Sequence, residues 1–211
     1  MPSSITKKTP AKAVAKSAVP SKSPGRLSEN SSKRSPKAQQ AAARGNSPFE
    51  DNFDTSLKDL FISELKDIYW SEQHLVAAIP KMIEAAKGSD LKRALKDHLQ
   101  ETINQAKRLE SVFQQAGIPV IAKKCAAMEG LTIGGENVIE STLAGSMGRE
   151  TGIISSGIKV EQFETTCYTG LIEMANQLGM KDAAEIFQQN LNEEVAASNK
   201  LNGLKSKDQS Q

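Results

Sequence analysis

Residues 153–178 read IISSGIKVEQFETTCYTGLIEMANQL. Ile154, Gly157, Glu161, Glu164, Tyr168 and Leu171 recur at steps of three and four, so they share one face of a helix. Ala175 and Leu178 extend that stripe, and Gly179 stops it. Two carboxylates therefore stand where the helical period calls for apolar side chains.

The same pattern recurs outward from this segment. Downstream, a helix from about Asp182 uses Ala184, Phe187, Leu191 and Leu201, with Glu194 and Ser198 in its stripe, and fades near Leu204. Upstream, Thr55 or Asp54 can cap a helix whose apolar positions are Leu57, Leu60, Phe61, Leu65, Ile68, Leu75, Ile79 and Met82. Glu72 fills its missing step, Pro80 predicts a kink or break, and Gly88 ends it. With Ser89 as cap, a helix then runs from Asp90 to Ala116 on Leu91, Leu95, Leu109 and Val112. His98, Thr102 and Gln105 occupy its middle, with Glu101 beside them. Residues 117–148 form a long connection with a short helix over Cys125–Glu140. No strand-like alternation stands out. Two helical hairpins joined by one long crossover is the chain order of ferritin-like four-helix bundles.

Depth matters as much as face. Glu72 lies 16 residues before Gly88, and Glu101 lies 13 after it. Glu164 and Glu161 precede Gly179 by 15 and 18 residues, and Glu194 follows it by 15. At about 1.5 Å per residue, all five acids sit at mid-height in their hairpins. Buried carboxylates must pair, bind a metal or hold a proton. Lys66, Lys107, Arg108 and Lys159 fall off the stripes, which leaves His98 as the sole internal cation candidate. Oxygen-rich ligation suits iron or manganese. The alternative is a structural polar layer, since a lone Glu on an apolar face is ordinarily a boundary residue reaching for solvent.

Charge divides the chain in two. Residues 1–48 carry 7 Lys and 3 Arg against one acid, Glu29, while the remainder is net acidic. The expected domains are a disordered basic Lys/Ala/Ser/Pro-rich tail (1–50), the bundle (51–205) and a disordered C-terminus (206–211). The tail has no apolar run of the kind found in a secretory signal, although an organelle transit peptide shares its composition. No segment reaches the ~18 apolar residues of a membrane span. Cys125 and Cys167 form no motif, so a reducing cytoplasm is the expected compartment. The tail could make weak, salt-dependent contact with nucleic acid through residues 1–48, or none. Phe53, Leu57, Leu60 and Phe61 offer a surface for dimerisation.

Five segments carry a family resemblance: DIYWSEQHLVAAIPKM (67–82), HLQETINQAKRLESVF (98–113), KKCAAMEGL (123–131), KVEQFETTCYTGL (159–171) and LNEEVAASNKL (191–201). Together they resemble the YciE/YciF family of ferritin-like bacterial stress proteins over residues 54–204. The resemblance implies a homodimer with a dinuclear metal site in each subunit. With carboxylate ligation this is expected to be di-iron or di-manganese, a redox pair that could react with oxygen or peroxide. It implies Glu72, His98, Glu101, Glu161, Glu164 and Glu194 as the metal residues. This chain departs from the family at Gln162-Phe163, where His-Tyr is usual, and at Ser198, where Asp is usual. The Glu-x-x-His pairs of ferritin-like di-iron proteins are absent, because Asn104 and Ala197 stand three residues after Glu101 and Glu194. The competing function is a non-enzymatic helical interaction protein with a nucleic-acid-binding tail.

Overall fold

A computed structural model describes the backbone of residues 48–208 and the side chains of 56–204. The tail expected over 1–50 lies outside the described residues as far as residue 47, as do residues 209–211. The elements are α1 (Pro48–Ala85), α2 (Ser89–Gln115), α3 (Ala126–Ser141), α4 (Met147–Gln177) and α5 (Lys181–Asp208). The helices α1 and α2 form one hairpin and α4 and α5 the other; α2 packs on α5 and α1 on α4. The crossover helix α3 lies against α1 and α4. The fold is a ferritin-like four-helix bundle, all-α over the described residues.

Helix α1 starts at Pro48, ahead of the start the sequence suggested, because proline suits a first helical turn. It runs unbroken through Pro80, so no break occurs there. Gly88, not Ser89, is the N-cap of α2, and as a glycine it has no side chain with which to cap the helix. The Glu150 carboxylate serves instead, accepting from the Lys87 amide at 2.8 Å and the Gly88 amide at 2.9 Å. This contact ties the first hairpin turn to the start of α4, where an acid also suits the helix dipole. Ser146 caps α4 by accepting from the Arg149 amide. Gly117 and Gly179 adopt φ of 68° and 72°, the left-handed stops expected after α2 and α4.

The apolar core falls into two parts. One holds Phe61, Leu65, Ile68, Leu109, Phe113, Leu171 and Phe187; the other holds Leu75, Ile79, Leu91, Leu95, Ile153, Ile154 and Leu201. Phe61 is thus a core residue edge-on to Phe187, not part of a dimerisation face, because its stripe turns inward one residue after exposed Leu60. Phe53 lies outside the residues with described side chains. Trp70 stacks on His74, whose Nε2 lies 2.8 Å from Thr132 Oγ1, fastening α3 to α1. Between the two apolar halves, every bundle helix presents polar groups.

Candidate metal centre

Glu72 sits between Ile68 and Leu75 on α1, and His98 to Gln105 between Leu95 and Leu109 on α2. Glu161 and Glu164 follow Ile154 on α4, and Asn190 and Glu194 follow Phe187 on α5. Glu72, Glu164 and Glu194 are fully buried, with Glu161 at 2% and His98 at 6% exposure. One ligand atom from each of His98, Glu161, Glu164 and Glu194 can be chosen so that all lie within 4.8 Å of one another. Glu72 is not one of these four, but it lies close enough to Glu161, Glu164 and Glu194 for their charges to interact. Glu101 does not join them. Its side chain is 43% exposed, with Oε2 3.7 Å from His98 Nδ1 at the rim. The inward position on α2 belongs to Thr102, one residue further round the helix.

Hydrogen bonds satisfy only part of this cluster. Tyr168 donates its hydroxyl to Glu72 Oε1 and accepts from Asn190 Nδ2 at 2.9 Å. Gln105 Nε2 donates to Glu194 Oε1. His98 Nε2 lies 3.2 Å from Glu161 Oε1, although the ring is not aimed to make a hydrogen bond. Glu72 Oε2, Glu161 Oε2, both oxygens of Glu164, Glu194 Oε2 and both His98 nitrogens are buried without a hydrogen-bond partner. Lone pairs from separate helices converge on one space. That donor set, four carboxylates and an imidazole, fits a divalent iron or manganese ion.

Burial, reinforced by Glu194, lifts Glu72 well above the ordinary carboxylate range, against the Tyr168 hydrogen bond and the Arg108 charge. Burial first, then the neighbouring acids, does the same to Glu161 and Glu164. The rim residue Glu101 moves the other way, held down chiefly by His98. Burial also raises the Tyr168 phenol and pushes the Cys167 thiol up to about 12, while Cys125 and Cys167 are both free and half-buried.

Arg108 corrects the sequence reading. It points off the stripe, yet its Nε donates to Asn190 Oδ1 at 2.7 Å and its guanidinium pairs with Glu193. A chain of contacts thus runs from Glu193 through Arg108, Asn190 and Tyr168 to Glu72. Ala184, Phe187 and Leu201 are buried as the stripe requires, but Asn190, not the half-buried Leu191, fills the next inward step; Ala183, Glu194 and Ala197 are the other buried positions of α5. The spacing of Asn190, four residues before Glu194, was the available signal. Tyr168→Phe leaves a buried carboxylate oxygen and an amide unpaired. It is expected to cost about 1–3 kcal/mol in a urea melt; an unchanged midpoint would show the network to be slack.

Two cavities flank the His98–Glu161 pair. One, of about 50 Å³, is walled by Leu75, Ile79, Met82, Ile153 and Val160. The other, of about 220 Å³, opens between α2 and α5 beside Glu101 and Lys200. Of the departures from the expected family pattern, Gln162 is exposed, Phe163 packs in the apolar half around Leu75, and Ser198 is half-buried.

A buried acidic layer across a two-hairpin helical bundle defines the class: a ferritin-like protein with a candidate carboxylate metal centre. The family described as a domain of unknown function, DUF892, matches residues 56–211. Protein YciF of Escherichia coli (strain K12) is 35% identical over 150 residues, which cover 71% of this chain and 90% of that protein. The crystal structure of the E. coli stress protein YciF is similar with a TM-score of 0.70 at 34% identity, covering 74% of this chain and 98% of that one. YcfI from Rhodopseudomonas palustris gives a TM-score of 0.66 at 37% identity, covering 69% and 92%. A Xanthomonas campestris protein shares the fold at 16% identity and a TM-score of 0.57, covering 72% and 91%. The chain belongs to the YciE/YciF family.

Proposed function

We propose that the buried cluster holds a dinuclear iron or manganese centre and that the chain is a stress protein reacting with oxygen or peroxide. One observation carries this reading: His98, Glu161, Glu164 and Glu194 bring ligand atoms from three helices within 4.8 Å of one another, and buried oxygens and nitrogens among them lack hydrogen-bond partners. Four buried carboxylates carry a charge that two divalent ions would balance, leaving His98 neutral as a ligand. When bound, the metals would supply redox and Lewis-acid chemistry inside a shielded bundle. Glu161, Glu164, Glu194 and His98 would hold them, with Glu72 oriented by Tyr168 from the far side and Gln105 steadying Glu194. Glu101 would act from the rim. The E. coli relative's description as a stress protein agrees with such a role.

Elemental analysis after purification from iron- and manganese-replete cells tests this. One or two metals per chain are expected, and fewer than ~0.2 in every preparation would remove the centre.

The charge of residues 1–48 supports a separate role for the tail, a weak contact with nucleic acid beside a homodimeric bundle in the cytoplasm. In a DNA shift assay at two salt concentrations, full-length protein is expected to bind more tightly than a version starting near residue 49. Equal binding by both sinks this role.

A further inference from the structure

Two cavities adjoin the acidic centre, and one carries more charged lining than the other. Both cavities touch His98 and Glu161, and only there do they share polar lining. The larger opens beside Glu101 and the exposed Lys200–Asp97 ion pair, a surface suited to hydrated ions and polar solutes. The smaller lies within the apolar half of the core next to α3, and aliphatic side chains and a thioether dominate its walls. The nearby Thr132 hydroxyl is already engaged, with His74 and with the Glu129 carbonyl.

Away from the smaller cavity's His98–Glu161 end, and apart from the Ser156 hydroxyl, the aliphatic walls offer a charged or strongly hydrated solute little in exchange for its water. That disfavours ions and peroxide there. A small apolar molecule loses little. A dry apolar cavity of about 150 Å³ takes benzene or xenon. This one, at about 50 Å³, suits a molecule of two or three atoms. Gly135 leaves room for the Met82 side chain in its wall, since a Cβ there would meet Met82 Cε at 2.8 Å.

We propose that the cavity between α1, α2, α3 and α4 is a binding site for dioxygen, held against the His98–Glu161 side of the acidic centre. Its purpose as an oxidant store rests on the metal reading above, whereas its occupancy does not. Ala78, in its α1 wall, is the position from which a larger side chain fills it.

Two measurements on the full-length chain test the site without turnover. Crystals pressurised with xenon are expected to show one anomalous peak among Ile79, Ile153 and Val160. In metal-free protein under dioxygen pressure, the methyls of Ile79 and Ile153 are expected to relax several-fold faster than those of Ile68, a buried residue of the other core half. Ala78→Leu, or the milder Ala78→Val if the former does not fold, is expected to remove the xenon peak and bring both methyls to the Ile68 level. No xenon and no differential relaxation in the parent protein overturns the site, as does a signal that survives in the variant. Metal content is measured on the same preparations. Full metal with an empty cavity defeats this proposal alone; an occupied cavity with fewer than ~0.2 metals per chain defeats the oxidant role along with the metal reading.

Discussion

Glu164→Gln is expected to bind metal at least about tenfold more weakly than the parent chain, the scale lost when even an outer partner of a ligand is removed. Stripped of metal, the same variant is expected to be the more stable protein at pH 8. Glu164 is fully buried and neither of its oxygens has a hydrogen-bond partner. Its ionised form faces Glu72, Glu194 and Glu161 without a cation. An amide of the same shape removes the charge and can donate to those neighbouring carboxylates. Replacing buried charge by neutral groups commonly stabilises by about 1–4 kcal/mol. At roughly 2–4 °C per kcal/mol for a chain of this size, the metal-free melting temperature should rise by about 5 °C. Isothermal titration with Mn(II) and scanning calorimetry in chelator check the two halves. A variant that loses metal affinity and also loses metal-free stability would show that Glu164 serves packing as well as ligation.

The metal-free protein is expected to lose stability as pH rises from 5 to 8, and the Mn(II)-saturated protein to gain it. The direction follows from where the protons sit. Glu72, Glu161 and Glu164 titrate well above the ordinary value of 4.5 in the folded chain. The unfolded chain releases those protons near the ordinary value while the folded chain retains them. From there up to the raised folded values the unfolded state binds fewer protons, so stability falls with rising pH. Each unit of elevation is worth about 1.4 kcal/mol once the penalty is complete. A fall on the order of 5 °C between pH 5 and pH 8 is therefore expected in chelator. Asp97 and Glu101, both held low, act in the opposite sense but below this window. Bound cations replace the protons and favour the ionised carboxylates, so metal stabilises more strongly as pH rises. A flat metal-free profile would mean that the acids reach water or a counter-charge.

These expectations rest on residues of unequal legibility. Glu161 and Glu164 were readable because both stand in one unbroken stripe between Ile154 and Leu171. Glu72 and Glu194 were readable for the same reason, and His98 because it sits between Leu95 and Leu109. Glu101 misled because it is three residues from His98 and only one from Thr102. That single step turns a side chain about 100° around the helix, enough to move it from cavity to rim. Asn190 was lost to the same ambiguity, with Leu191 competing for its place. Arg108 could not have been found by periodicity at all. Its backbone lies off the face, and only its long side chain, packed across to α5, brings the charge to Asn190 and toward Glu72.

Residue order by itself determined the four long helices, the crossover helix, the glycine stops and the mid-height placement of the acids. These follow from a helical repeat and rise that hold for any sequence, so counting along the chain is enough. Tertiary structure alone decided which side chains share the central space, which one stays at the rim, and that two cavities meet at His98 and Glu161. Those outcomes depend on how far each helix is rotated against its neighbours and how far each side chain reaches. Packing of all the helices together sets both, and no single stripe encodes either.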